Sequence, residues 1–512
     1  MGKGKVYIVG AGPGDPGLAT IRCIEILKKS DVVIYDHLIP QDILIYAENA
    51  EKIYVGKEAG KHTLPQEKIN ELLVQKAREG KKVVRLKGGD PFIFGRGGEE
   101  CEYLKENDID FEVVPGVSSF HSVPAYAGIP ITHRDFVSSF TVITGSEAEG
   151  RERIDFSSIS KCGTLVFLMT VKPLQKIVSK LLENLPPSTP CALIENGTTP
   201  LQRTIISTLD KIIEKSKEEK VNPPAIFIVG DVVKMREKIS WFEKKPLFSK
   251  KIVITRPIRQ SYSMSKLIRE LGGLPILFPS VKIVFNEKHE ENIRNFLEDI
   301  QQKKVDERND TVLVFTSQNG VEKFFSFLFS KGKDSRTIWG MKVAAVGEKT
   351  ASSLNEFGII PDIIPHNFTT ESLYEELKVR PEKNVIFLRA EKIRNIESKL
   401  IQIGKNVKTI EIYSIEKEEK TKEDIEELKS INPDVLTFTS SLSFLYFLEF
   451  FEKEWIQDRV IACIGDVTAK TVEKHVKKPE IISEKPTIES LAEEIVKFYT
   501  KQNGFSKSQE NQ

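Results

Sequence analysis

The residues able to do chemistry gather in three loops of the first half. Arg85–Glu100 reads RLKGGDPFIFGRGGEE, with five glycines and Arg96 close to Glu99 and Glu100. So many glycines after a strand open a backbone-lined pocket at the carboxyl edge of a sheet, where α/β folds hold their ligands. A charged pair in such a loop needs a charged ligand or its own partner to offset desolvation. Arg96 and Glu99 therefore read either as substrate contacts or as a brace of the loop. GAGPGDPG (Gly10–Gly17) makes a second glycine-rich turn, directly after a strand. Its N–H groups let a ligand approach closely, although a tight structural turn has the same look. Pro13 inside the turn, and no GxGxxG opening a helix, argue against a dinucleotide fingerprint. The third loop, Val113–Asp135, offers the Ser118 and Ser119 hydroxyls and closes on His133-Arg134. His121 and His133 lack the spacing to other ligands that a zinc site needs, so no metal is expected.

Strands must hold these loops. KVYIVG (Lys5–Gly10), DVVIYD (Asp31–Asp36), KKVVRLKG (Lys81–Gly88) and FEVVPG (Phe111–Gly116) are short β-rich runs ending in Gly, Asp or Pro. Helical stretches such as Leu18–Lys29 and Gln66–Glu79 separate several of them, a rhythm that predicts a parallel sheet with crossover helices. A second set near Phe140, Leu165, Leu193 and Ile228 predicts a second α/β lobe. The polar segment Glu243–Lys251, with Pro246, marks a boundary, and the α/β rhythm restarts at IVITRP (Ile252–Pro257). FTSQNGVEKF (Phe315–Phe324) echoes FTSSLSFLYF (Phe438–Phe447), and AVGEKTA (Ala345–Ala351) echoes CIGDVTA (Cys463–Ala469), which suggests two similar lobes.

Composition limits the rest. The 512 residues suit two domains, each with two lobes. A formal net charge of +1 demands neither nucleic acid nor an anionic membrane as partner. Five scattered cysteines without a CxxC pair fit reduced thiols. With no signal-peptide pattern at the start, a cytoplasmic protein is expected. The greasy runs at Phe324–Phe329 and Phe444–Phe451 are too short to span a bilayer and read as core helices.

In chain order, GAGPGDPGLAT, RLKGGDPFIFGRGGEE, VPGVSS…AYAGIPITHR, TLVFLM and NGTTPLQRT resemble the uroporphyrinogen-III C-methyltransferases of the tetrapyrrole methylase family, from about Lys5 to Lys238. The resemblance implies a homodimer that binds S-adenosylmethionine between two α/β lobes. It assigns cofactor contacts to Pro13, Gly88, Gly89, Asp90, Ile93, Ser118, Ser119, Met169 and Gly197. It turns Arg96, Glu99 and Arg134 toward the tetrapyrrole, and matches Asp36 and Lys57 to positions proposed as acid and base. Methyl transfer gains mainly from positioning, a base must then take a proton, and a substrate with eight carboxylates suits Arg96, Arg134 and Lys57. Ala19, Ser118-Ser119 and Thr170 depart from the commoner residues of the motifs.

The second half lacks a nucleophile–base constellation but repeats hydroxyl-rich strand ends: Thr316-Ser317, Thr439-Ser440-Ser441, and Gly-x-x-Thr at Gly347–Thr350 and Gly465–Thr468. Such residues are most often N-caps; converging, they also bind carboxylates. IVITRP, FTSQNGV, AVGEKTA, FTTESL, FLRAE, EIYSIE, DVLTFTSS, IACIGDVTA and PTIESL, over about Ile252–Lys497, resemble uroporphyrinogen-III synthase. That resemblance implies two α/β lobes around a cleft and no cofactor. Tyr413 matches the tyrosine thought to assist loss of the hydroxyl from hydroxymethylbilane, with Thr316, Ser317, Thr439, Ser440, Ser441 and Thr468 toward the substrate.

The expected organisation is a methyltransferase over 1–242, a linker over 243–250 and a synthase over 251–500, with a disordered tail over 501–512. The synthase lobes fall at about 251–284 plus 413–500, and 285–412. The fold class is α/β throughout. The resemblances together imply cyclisation of hydroxymethylbilane to uroporphyrinogen III and its methylation at C2 and C7 to precorrin-2, toward sirohaem or cobalamin. The alternatives are a methylase of a later precorrin, and a C-terminal half kept as a non-catalytic binding module.

Overall fold

The first sheet is wholly parallel, in spatial order Glu51–Tyr54, Val32–Tyr35, Lys82–Lys87, Lys5–Gly10, Asp110–Val114. The structure, a computed structural model, describes residues 4–56, 64–145, 154–366, 370–390 and 395–509. A parallel sheet is covered on both faces, and clusters around Val9, Leu27 and Leu86 and around Val6, Leu73 and Leu104 do this here. The stretch expected as one helix over Leu18–Lys29 is shorter: Pro16–Leu18 is a single 3-10 turn, and the helix Ile21–Leu27 starts where the Thr20 hydroxyl accepts from the Cys23 N–H at 3.1 Å. Glu51–Tyr54, with two exposed charges, gives little apolar signal in the sequence and is a strand that the sequence rhythm does not announce.

The second lobe is α/β as expected, but its sheet is mixed. Phe140–Thr144 runs parallel to Thr164–Leu168, whereas Ala225–Val229, Pro190–Glu195 and Arg203–Thr208 join antiparallel. Buried strands of either sense read alike as apolar runs. A third sheet is again parallel: Leu274–Leu277, Lys251–Ile254, Val435–Phe438, Val460–Cys463, Ile481–Ile482.

These three sheets lie in one compact unit, Met1–Phe278 with Thr421–Gln512; Pro279–Lys420 forms the other. Its own sheet runs Val281–Val284, Asn406–Lys417, Asn384–Ala390, Thr311–Phe315, Lys342–Ala345, with the first strand antiparallel to its neighbour. The two greasy runs are core helices: Gln318–Ser330 buries Phe324, Phe325 and Phe327, and Ser441–Leu448 buries Phe444 and Phe447. The tail expected to be disordered is partly helical, since Ile488–Gln509 continues past residue 501. Ile488, Leu491, Ala492, Ile495 and Tyr499 bury one face of that helix, and propagation adds turns at little cost once such a face is docked. Among the described residues no helix is long and apolar enough to cross a membrane.

Candidate functional site

Three loop backbones meet at the carboxyl edge of the first sheet. Gly12 and Gly89 exchange N–H···O bonds of 3.3 and 2.7 Å. A Cβ on Gly116 would stand 2.2 Å from the Gly89 carbonyl oxygen and 2.8 Å from Gly10 Cα. Asp90 locks the arrangement: one carboxylate oxygen accepts from the Phe92 N–H at 2.8 Å, the other from the Gly116 N–H at 3.0 Å. Gly89 lies at φ 66°, with Ser119 N 3.7 Å from where a Cβ would stand. The second lobe closes on the same place. Asp15 N–H donates to Thr198 Oγ1 at 3.2 Å, Tyr126 OH donates to Asp15 at 2.8 Å, and Gly197 packs against Val123.

Pro13, Gly88, Gly89, Asp90, Ser118, Ser119 and Gly197 thus belong to loops that the structure brings together. Ile93 and Met169 are exposed, as are Leu38, Phe92 and Phe94. Bare apolar side chains on such loops suit the apolar face of a ligand. Phe94, Arg96, Met169, Asn196 and Thr198 all have φ between 50° and 65°, and left-handed non-glycine residues concentrate where a site constrains the chain.

Sequence reasoning missed what lies beneath. Arg85, Lys87 and Glu100 are buried, and Glu100 Oε1 alone accepts from Arg85 Nε (3.2 Å), Lys87 Nζ (2.9 Å) and Gln66 Nε2 (3.0 Å). Glu100 Oε2 is buried with no partner among the described residues. Arg85 also reaches Asp36 at 3.3 Å, so Asp36 sits at the rim of a cluster with two cations and two carboxylates. Burial, then the neighbouring Arg85, pushes the Lys87 ammonium below its ordinary range. The signal was available: two basic residues inside a strand of a covered parallel sheet contradict the apolar run expected there. Lys57 lies outside the described residues.

Arg96 and Glu99 form a forked pair, with contacts of 3.0, 3.1 and 2.6 Å. Each side chain is 55% exposed, so the pair braces the loop while staying open to solvent. The carboxylate raises the Arg96 pKa, and Arg96 lowers that of Glu99. Arg134 is exposed.

In Pro279–Lys420, Ser317 caps the helix Gln318–Ser330 by accepting from the Gly320 N–H, and its Oγ lies 2.8 Å from the Tyr413 hydroxyl. Tyr413 is buried with its ring in the core; Thr316 is half-buried beside Ser317. Arg389, the last residue but one of Asn384–Ala390, is buried against Glu397 at 2.5 Å. In the other unit, Ser440 caps Ser441–Leu448 through the Ser443 N–H at 3.1 Å. Thr439 precedes it half-buried, Ser441 pairs with Thr471 at 2.8 Å, and Thr468 is buried in the first turn of Asp466–His475. Arg256, after Lys251–Ile254, reaches Gln260 at 3.1 Å, while its Nε is buried with no partner among the described residues. Arg256 and Arg389 stand in the IVITRP and FLRAE runs, and nothing in their spacing singles them out.

The sequence matches the family model for tetrapyrrole (corrin/porphyrin) methylases over residues 5–213 and that for uroporphyrinogen-III synthase HemD over residues 263–493. It is similar to the porphyrin biosynthesis protein HemD of Ruminiclostridium josui, 39% identical over 517 residues, covering 97% of this chain and 99% of the relative. The uroporphyrinogen-III C-methyltransferase of Methanocaldococcus jannaschii is 53% identical over 235 residues, 45% of this chain and 97% of its own. The S-adenosyl-L-methionine-dependent uroporphyrinogen III methyltransferase of Methanosarcina barkeri is 51% identical over 239 residues, 46% and 94% of the two chains.

Proposed function

Since the chain belongs to the tetrapyrrole methylases fused to a uroporphyrinogen-III synthase, we propose that it makes uroporphyrinogen III from hydroxymethylbilane and methylates it at C2 and C7 to precorrin-2. The observation that carries the first activity is the Gly10–Gly89–Gly116 cradle: a Cβ on Gly10 or Gly116 would overlap neighbouring backbone, whereas the nearest atoms beside Gly89 stand back at 3.7 and 4.0 Å and leave space for a ligand. That geometry fits S-adenosylmethionine, which would supply a methyl group on a sulfonium. The cradle loops hold the cofactor through Pro13, Gly88, Gly89, Asp90, Ile93, Ser118, Ser119, Met169 and Gly197. Asp36, held at the rim by Arg85, and Lys57 handle the proton that the methylated ring loses. Arg96, Glu99 and Arg134 face the tetrapyrrole. A homodimer through the methyltransferase half belongs to the same reading.

Arg96→Ala removes a charge-assisted contact of about 1.5–3 kcal/mol. Tetrapyrrole turnover is expected to fall about 10- to 100-fold, with cofactor affinity by calorimetry unchanged. Wild-type methylation by that variant would leave the Arg96–Glu99 pair as a loop brace only.

For the second activity, Tyr413 donates a hydrogen bond to the departing hydroxyl, with no cofactor. Ser317 at 2.8 Å holds its phenol in place. Within Pro279–Lys420 the hydroxyls of Thr316 and Ser317 offer contacts to substrate carboxylates, and within the other unit Arg256 and the hydroxyls of Thr439, Ser440, Ser441 and Thr468 do so. Tyr413→Phe keeps the packed ring and loses only a hydroxyl. Ring closure is expected to slow about 100-fold with unchanged circular dichroism; an unaltered rate would remove Tyr413 from the mechanism. The deciding experiment supplies hydroxymethylbilane and S-adenosylmethionine and looks for precorrin-2 by absorbance and mass. Only the uninverted type-I macrocycle, which forms spontaneously, would refute the synthase reading.

A further inference from the structure

The short helix Gln41–Ala47 follows the strand that ends next to Asp36, and Ile43 and Leu44 bury it in its own lobe. Other side chains of this segment meet the helix Ile258–Glu270, which belongs to the synthase-like half within the same compact unit. The contacts run in antiparallel order: Asp42 with Arg269, Tyr46 with Tyr262, Glu48 with Arg259. Arg269 Nε and Nη2 both approach Asp42 Oδ2 at 2.7 Å, and the two side chains keep only 16% and 10% exposure. The Tyr46 and Tyr262 rings meet edge to face at 5.6 Å, with their hydroxyls hydrogen-bonded. Glu48 accepts from Arg259 at 2.5 Å.

The chain between the halves is packed too. Glu243 accepts from Arg236, Gln202 and Thr204 on the methylase side. Leu247 is buried with Ile252 and Ile268 on the other, and Phe242 and Phe248 meet at 5.6 Å. An Asp–Arg pair this shielded is kept only where its partner is always present, because either charge alone would be stranded. Three matched contacts in one register also select a single relative placement of the two helices.

We infer that the helix Ile258–Glu270 is a positioning element for the methyltransferase: through Asp42–Arg269 it steadies the segment that follows Asp36, so methyl transfer depends on a residue of the other half. This rests on the proposed activity of the N-terminal half. The cradle stands on Lys82–Lys87, Lys5–Gly10 and Asp110–Val114, and the seam follows Val32–Tyr35. A loosened seam therefore acts first on the tetrapyrrole side and reaches the cofactor side through Leu38, which lies beside Gly88.

The test uses the full-length chain with Arg269→Glu, Asp42→Arg and the two combined. Each single change is expected to speed amide exchange over residues 41–48 about tenfold. It should also raise KM for uroporphyrinogen III about three- to tenfold, with kcat held and S-adenosylmethionine affinity changed by less than KM. The double reversal restores both, which a variant that merely misfolds would not do. Wild-type exchange in the single variants would show that the seam does not form, and faster exchange with an unchanged KM would reduce it to a purely structural contact; either overturns the inference. A wild-type chain that methylates nothing would refute the methyltransferase reading instead, and the exchange response would still separate that failure from failure of the seam.

Discussion

Glu100→Ala is expected to destabilise the first lobe by about 3–5 kcal/mol, the usual cost of removing one partner from a buried ion pair. Glu100 Oε1 gathers donors from Arg85, Lys87 and Gln66 in a place fully closed to water. Without it, two buried cations face one another, with Asp36 at 3.3 Å from Arg85 as the carboxylate left to them among the described residues. The full chain has more than one unit, so a single unfolding curve does not isolate this lobe. Hydrogen exchange at the amides of Lys82–Lys87 in increasing urea is the local measurement. The deficit should also shrink toward high pH. Lys87 titrates in the folded lobe below its ordinary value of 10.5, so between the two values the unfolded chain binds more protons and stability rises with pH. Losing Glu100, which favours the charged lysine, widens that window. Exchange within about 1 kcal/mol of wild type would show that the cluster is solvated and not a stabilising core.

Gly89→Val should abolish cofactor binding while leaving the synthase half active. Gly89 sits at φ 66°, where a β-branched residue is a backbone outlier costing about 1–2 kcal/mol. Its side chain would also stand where Ser118 and Ser119 come nearest, in the space the cradle leaves for a ligand. Affinity for S-adenosylmethionine is expected to fall at least about 100-fold, roughly 2.8 kcal/mol. Calorimetry reads the loss, and conversion of hydroxymethylbilane in the same sample reports an intact second half. Unchanged binding would move the cofactor away from this loop.

Much of this protein was legible before its structure, because strand rhythm and glycine placement are local signals. The runs ending at Gly10, Asp36, Gly88 and Gly116 are strands of one parallel sheet, and the glycine loops after two of them meet because a parallel sheet puts all its carboxyl ends on one edge. The greasy runs were legible as core helices for the same reason, length and periodicity being written in the chain. What stayed hidden depends on distant partners. The antiparallel joins of the second lobe leave no mark on buried apolar strands. Arg85 and Lys87 look like solvated strand residues until Glu100, on the following helix, is seen to lie against them. Asp42 and Arg269 are 227 positions apart, and each alone reads as an ordinary surface charge. Pairing energy between remote charges grows only once folding has removed the water between them, so only the tertiary structure decided that Arg85 and Lys87 are buried and that Asp42 and Arg269 are largely shielded.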